Sequence, residues 1–135
     1  MVTADQIKSL GERLERLASY LNLEQKRIYI INEEEKTASP EFWNDPKKAE
    51  KTMKALRGVK FWVEGYEQAE ALFGEAELSL EFYKEGELDE AEVKAAYDAC
   101  ENLIEELEFR NMLSGEEDKL SAVLQITAGA GGTEI

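Results

Sequence analysis

The chain has 135 residues, 43% hydrophobic and 34% charged, and its 30 Asp+Glu against 16 Lys+Arg give a net charge of −14. That is apolar material for one domain and at most part of a second, and no run approaches the ~18–20 residues of a membrane span. Absence of histidine removes Ser-His-Asp and Cys-His catalysis and histidine metal sites, and a single cysteine, Cys100, removes any internal disulfide.

The N-terminus, Met1 to Gln6, has neither a basic segment nor an apolar one of the signal-peptide kind, so the sequence predicts a cytoplasmic address. Thr3 followed by Gln6 is a capping box, and it opens a helix expected from about Asp5 to about Glu35. Ile7, Leu10, Leu14, Leu17 and Leu21 lie at 3-4-3-4 spacing, and Ile28 and Ile31 extend that seam beyond Glu24. Residues 36–46 form a break, in which Ser39-Pro40 and Asp45-Pro46 each join an N-cap residue to a proline suited to the first helical position.

A second helix is expected over about Pro46–Lys84, with a seam of Ala49, Met53, Leu56, Val59, Val63, Tyr66, Phe73 and Leu80. Gly58, Gly65 and Gly74 interrupt it, and a bend or break near Gly74 is expected because each glycine costs about 1 kcal/mol against alanine. After a turn at Glu85–Leu88, Asp89 with Glu92 caps a third helix. This one carries Val93, Ala96, Cys100, Leu103, Leu107 and Phe109 and is expected to end at Ser114-Gly115. Short connections between amphipathic helices imply a mainly α fold, an elongated antiparallel bundle of three long helices. The alternation from Leu120 to Thr127 reads as a β-strand that leaves the bundle, followed by a glycine-rich loop. The economical organisation is a helical domain over 1–118 and, over 119–135, the first strand and loop of a following α/β domain.

Charge is unevenly spread. Residues 1–63 carry 12 Lys/Arg against 10 Asp/Glu, a balance of +2, whereas residues 64–118 carry 3 against 19, a balance of −16. The acidic half repels nucleic acid and favours basic proteins. Lys47, Lys51 and Lys54 form a basic stripe at i, i+4, i+7, which reads first as a solvated face and second as a phosphate contact. Phe42 and Trp43 read first as rings closing the gap between helices and second as a binding hot spot. Glu101, Glu105 and Glu106 belong to an acidic face better suited to solvent or a basic protein than to a metal ion, for which no histidine partner or EF-hand loop exists. Gly129, Gly131 and Gly132, with Thr133 and Glu134, read as a tight turn rather than a phosphate cradle, because no Lys-Ser/Thr follows. Cys100, in register with Val93, Ala96, Leu103 and Leu107, reads as a buried small hydrophobe.

Three stretches carry a family resemblance. Glu108 to Asp118, then Ala128-Gly129-Ala130-Gly131-Gly132-Thr133-Glu134, resemble the end of the first domain of bacterial class I peptide chain release factors. Pro40-Glu41-Phe42-Trp43-Asn44-Asp45-Pro46 resembles the aromatic turn of the release factor 2 type, which reads UGA and UAA, and Thr133 points the same way. The resemblance spans nearly the whole chain. It implies a role in translation termination, with a helical arm near the stalk base of the large ribosomal subunit that bears on recycling by the GTPase release factor. The acidic face would then meet a basic ribosomal protein. The family's codon-reading Ser-Pro-Phe and hydrolytic Gly-Gly-Gln are not in these residues: Gly131-Gly132 precedes Thr133, and neither Pro40 nor Pro46 precedes phenylalanine. The chain is therefore expected to be no enzyme, to use no cofactor, small-molecule substrate or membrane, and to be the front end of a longer factor. The competing reading is a free-standing acidic coiled-coil interaction protein unrelated to translation. An exposed strand 120–127 could pair two copies as an artefact of truncation.

Overall fold

The computed structural model describes the backbone of residues 1–127 and the side chains of residues 1–114. Its elements are α1 (Ala4–Leu21), α2 (Leu23–Thr37), a 3-10 turn (Pro40–Asn44), α3 (Pro46–Lys84) and α4 (Glu90–Thr127). The chain packs as two units, Met1–Ile104 and Glu105–Ile135. Among the described residues, no helix is long and apolar enough to cross a membrane.

α1 begins where its local chemistry dictates. Gln6 N–H donates to Thr3 Oγ1 at 3.1 Å and Thr3 N–H donates to Gln6 Oε1 at 2.8 Å, so two orphan amides of the first turn are satisfied reciprocally. The seam Ile7, Leu10, Leu14, Leu17 and Leu21 is fully buried. Each such side chain contributes about 1.5–3 kcal/mol by leaving water. α3 is the surface that receives α1 and α2. Ion pairs cross from α2 to α3 at Arg27–Glu67 (3.5 Å) and Lys60–Glu34 (2.6 Å).

The expected single helix to Glu35 is divided. Asn22 adopts φ 52°, ψ 53°, the left-handed conformation that asparagine tolerates better than other side-chain-bearing residues. Its N–H donates to Ser19 O at 3.3 Å, and the Lys26 ammonium takes the Leu21 carbonyl. The break rotates the register. α2 turns Leu23 inward, while Ile28 and Ile31 are 54% and 58% exposed and do not extend the α1 seam.

α3 is continuous through Gly74 for 39 residues, about 58 Å at ~1.5 Å per residue, so the expected break there is absent. The glycine penalty of about 1 kcal/mol is less than the packing that interruption would forfeit, since Ala69, Ala76, Ser79 and Leu80 around it are all buried. The helix ends in a Schellman arrangement: Gly86 at φ 83° donates to Tyr83 O at 2.9 Å, and Glu87 N–H donates to Phe82 O at 2.8 Å. Asp89 then caps α4, accepting from Glu92 N–H at 2.9 Å. Val93 joins Val2, Ile7 and Leu80 in one apolar cluster. Cys100 is fully buried, its thiol directed at Ala69 O at 3.7 Å. Ile104 is buried where Leu103 was expected to lead, and Phe109 is exposed.

The expected end at Ser114-Gly115 and the expected strand at 120–127 are both corrected: α4 runs helically to Thr127. Leu120, Val123, Leu124 and Thr127 also stand at i, i+3, i+4 and i+7, so the same residues satisfy a helical period. A helix pairs its own backbone groups, whereas a strand needs a neighbour, and no strand occurs among the described residues.

The left-handed residue is testable. Asn22→Ala should lower stability by about 1 kcal/mol, because alanine visits the left-handed region less readily than asparagine. Asn22→Gly should leave it within about 0.5 kcal/mol of the parent. Urea denaturation reads both, and an alanine variant as stable as the parent would contradict the break.

Candidate functional site

The junction between α2 and α3 is the most elaborated exposed feature of the chain. α2 closes with Ala38 and Ser39 N–H donating to Glu35 O and Lys36 O at 3.2 Å each. Pro40 then starts the 3-10 turn, its fixed φ suited to that first position. The turn presents Phe42 and Trp43 edge to face, with centroids 4.8 Å apart at 84°. Trp43 lies 52% exposed, yet its indole N–H donates to Thr37 O at 3.0 Å and so satisfies a terminal carbonyl of α2. Thr37 Oγ1 in turn donates to Glu34 O at 2.7 Å. Phe42 is half-buried. The pair is both a closure and a surface: one edge of the indole is spent on the backbone and the rest faces solvent.

The basic stripe follows immediately. Asp45 Oδ1 accepts from Lys48 N–H at 3.2 Å, and this cap sets the phase of the first turns of α3. Ala49 is buried, so Lys47, Lys51 and Lys54 are turned outward, and all three are exposed. Pairing of Lys47 or Lys51 with Glu50 does not occur among the described residues. Phe42 and Trp43 thus adjoin, in the chain and at one helix start, a row of three unneutralised ammonium groups.

The acidic positions are not equivalent. Glu101 forms a half-buried ion pair with Arg13 of α1 at 3.7 Å and accepts from the Tyr97 hydroxyl at 3.4 Å. It ties α4 to α1 and is a structural group. Glu106 pairs with Arg110 one turn on at 3.5 Å, a surface contact of little net energy. Glu105 is exposed. Burial holds the Tyr97 phenol above its ordinary pKa, with Glu101 adding to the effect and Arg13 opposing it. Burial likewise pushes the Cys100 thiol up to about 11, so it stays protonated and unreactive at neutral pH. Among the described residues, no group of three or more His, Cys, Asp or Glu is placed to hold a metal ion. Gly129, Gly131, Gly132, Thr133 and Glu134 lie outside the described residues.

Sequence reasoning missed the indole-to-backbone bond and the Arg13–Glu101 pair, both of which join residues from different elements. Only the outward phase of the lysines had a local signal, the buried Ala49 between them.

Trp43→Phe preserves the ring contact with Phe42 and deletes the donor to Thr37. It should cost about 1 kcal/mol in thermal unfolding, the net worth of such a hydrogen bond. Unchanged stability would mean that the indole serves the surface alone.

The family model of the PCRF domain matches residues 25–135. The chain is also similar to proteins named Peptide chain release factor 2. With that of Colwellia psychrerythraea it shares 34% identity over 132 residues, 95% of this chain and 36% of the relative. With that of an Exiguobacterium species the identity is 30% over 133 residues, 96% of this chain and 36% of the relative. With that of Streptomyces avermitilis it is 34% over 136 residues, 97% of this chain and 36% of the relative. The chain therefore spans about a third of the length of the curated relatives it matches, 36% in each case.

Proposed function

The chain belongs to the PCRF domain family, and on that premise we propose that it works in translation termination, as the N-terminal helical arm of a peptide chain release factor of the release factor 2 type. In this reading the longer factor directs release at UGA and UAA codons in the cytoplasm. Residues 1–118 are its helical domain, built as an antiparallel bundle, and 119–135 lead into a central domain. The arm's contribution is contact, not chemistry: the sequence holds no Gly-Gly-Gln and no codon-reading Ser-Pro-Phe.

The observation that carries the proposal is the reach of the similarity. It runs over 95–97% of this chain. A free-standing coiled-coil adaptor has no reason to match one family over nearly its whole length. On the ribosome, the exposed Trp43 and the row Lys47, Lys51 and Lys54 supply a surface for the stalk-base region of the large subunit. Of Glu101, Glu105 and Glu106, Glu105 is the position not engaged in an ion pair among the described residues, and it is offered to a basic protein or the GTPase release factor. Pairing of copies through 120–127 lacks the strand edge it required.

The test is peptide release in a purified system. The longer factor containing this chain should free formyl-methionine from ribosomes programmed with UGA or UAA and not with UAG. Release at UAG but not at UGA would contradict the assigned type, and no release at any stop codon would contradict the termination reading.

A further inference from the structure

Between α1 and α3 lies an open groove of about 1050 Å³. On the α1 side it is lined from Ala4 to Glu15, and those twelve positions measure about 18 Å along the axis, enough for roughly three turns of another helix. Its floor is apolar. The Phe73 ring lies directly on the α1 backbone because Gly11 has no Cβ; one built there would stand 2.9 Å from Phe73 Cζ. Beside it, Leu78 is 57% exposed, and a Cβ at Gly74 would meet nothing within 4 Å, so the backbone itself is open to a visitor.

The walls are acidic on both sides: Glu12 and Glu15 from α1, Glu70 and Glu77 from α3. All four are exposed, and none forms an ion pair among the described residues. Their fields converge on the groove. The Tyr66 side chain is buried, and its phenol pKa is raised first by that burial and then by Glu70 and Glu15 on the two opposite walls, with Arg27 opposing. The cations on the groove are Lys8 and Lys84, and Lys84 is already paired with Glu81 at 3.9 Å. An apolar floor between carboxylate walls matches one kind of occupant, a helix with an apolar stripe flanked by Lys or Arg. A nucleic acid strand is repelled by the same walls.

We infer that the α1–α3 groove is a docking site for a basic amphipathic helix of a partner protein. The site is distinct from the lysine row at the start of α3, and its failure would leave the release-factor reading untouched. The probe is a fluorescein-labelled 15-residue peptide of Leu and Lys with its leucines at i, i+3, i+4, i+7, titrated into the whole chain and read by anisotropy. The control is the same composition scrambled to abolish the apolar stripe.

The amphipathic peptide should bind at least about tenfold more tightly than the scrambled one. The double variant Glu15→Lys/Glu77→Lys should weaken it at least about tenfold, and Glu64→Lys/Glu87→Lys, which changes net charge equally but lies off the groove, should weaken it less than about threefold. Gly74→Leu, which has open space for its side chain, should block binding while the helical circular dichroism is retained. Equal binding of the two peptides, or equal loss in both charge-reversed variants, would overturn the proposal in favour of non-specific attraction. Failure of the peptide to bind, together with a dimer in sedimentation that Gly74→Leu dissociates, would overturn it in favour of a second copy.

Discussion

Five side chains on α1, Ile7, Leu10, Leu14, Leu17 and Leu21, leave water together, and the rest of the described structure follows from where they go. No face of a lone helix can bury such a seam, so α3 must lie alongside it. That requirement explains why α3 continues through glycines that would weaken an isolated helix. It also explains the small buried residues on α3: Ala69 and Ala76, both with no exposed surface, allow neighbouring backbones to approach. Once the seam is spent at Leu21, nothing holds the chain in the same register. The left-handed Asn22 ends α1 and lets α2 present a different, less apolar face to α3.

The two halves of the chain differ in charge for reasons the packing makes clear. The basic residues cluster where α2 hands over to α3, around a turn held by Pro40, Trp43 and Asp45. The acidic residues occupy the later part of α3 and the start of α4, where some are structural, as Glu101 is to Arg13, and others line an open groove. In the proposed reading one arm meets polyanions at one end of α3 and polycations along another part of the same helix. Neither use requires a catalytic group, and the one cysteine, Cys100, is buried with its thiol kept protonated.

Much of this was legible in the residues. Thr3 with Gln6, Asp45 before Pro46 and Asp89 with Glu92 act over three positions, so their capping geometry is written locally. The α1 seam was legible because five apolar residues repeat without exception. Legibility failed where two periods or two energies compete. Ile28 and Ile31 keep the α1 spacing in sequence, but one left-handed residue between removes its meaning. Gly74 looks like a break until the burial around it is weighed. Leu120 to Thr127 fits an alternating and a helical pattern alike, and the self-sufficient backbone is the one found. The exposure of the lysine row was readable from the buried Ala49 between its members; the indole of Trp43 reaching back to Thr37 was not, because no local rule pairs those positions.

In the proposed reading the lysine row serves contact alone and leaves the chemical step untouched. Single-turnover peptide release at UGA, measured against concentration of the longer factor carrying Lys47→Glu, Lys51→Glu and Lys54→Glu together, tests it most directly. The half-saturating concentration should rise several-fold while the maximal rate at saturation is unchanged. A fall in the maximal rate with half-saturation unaltered would contradict it.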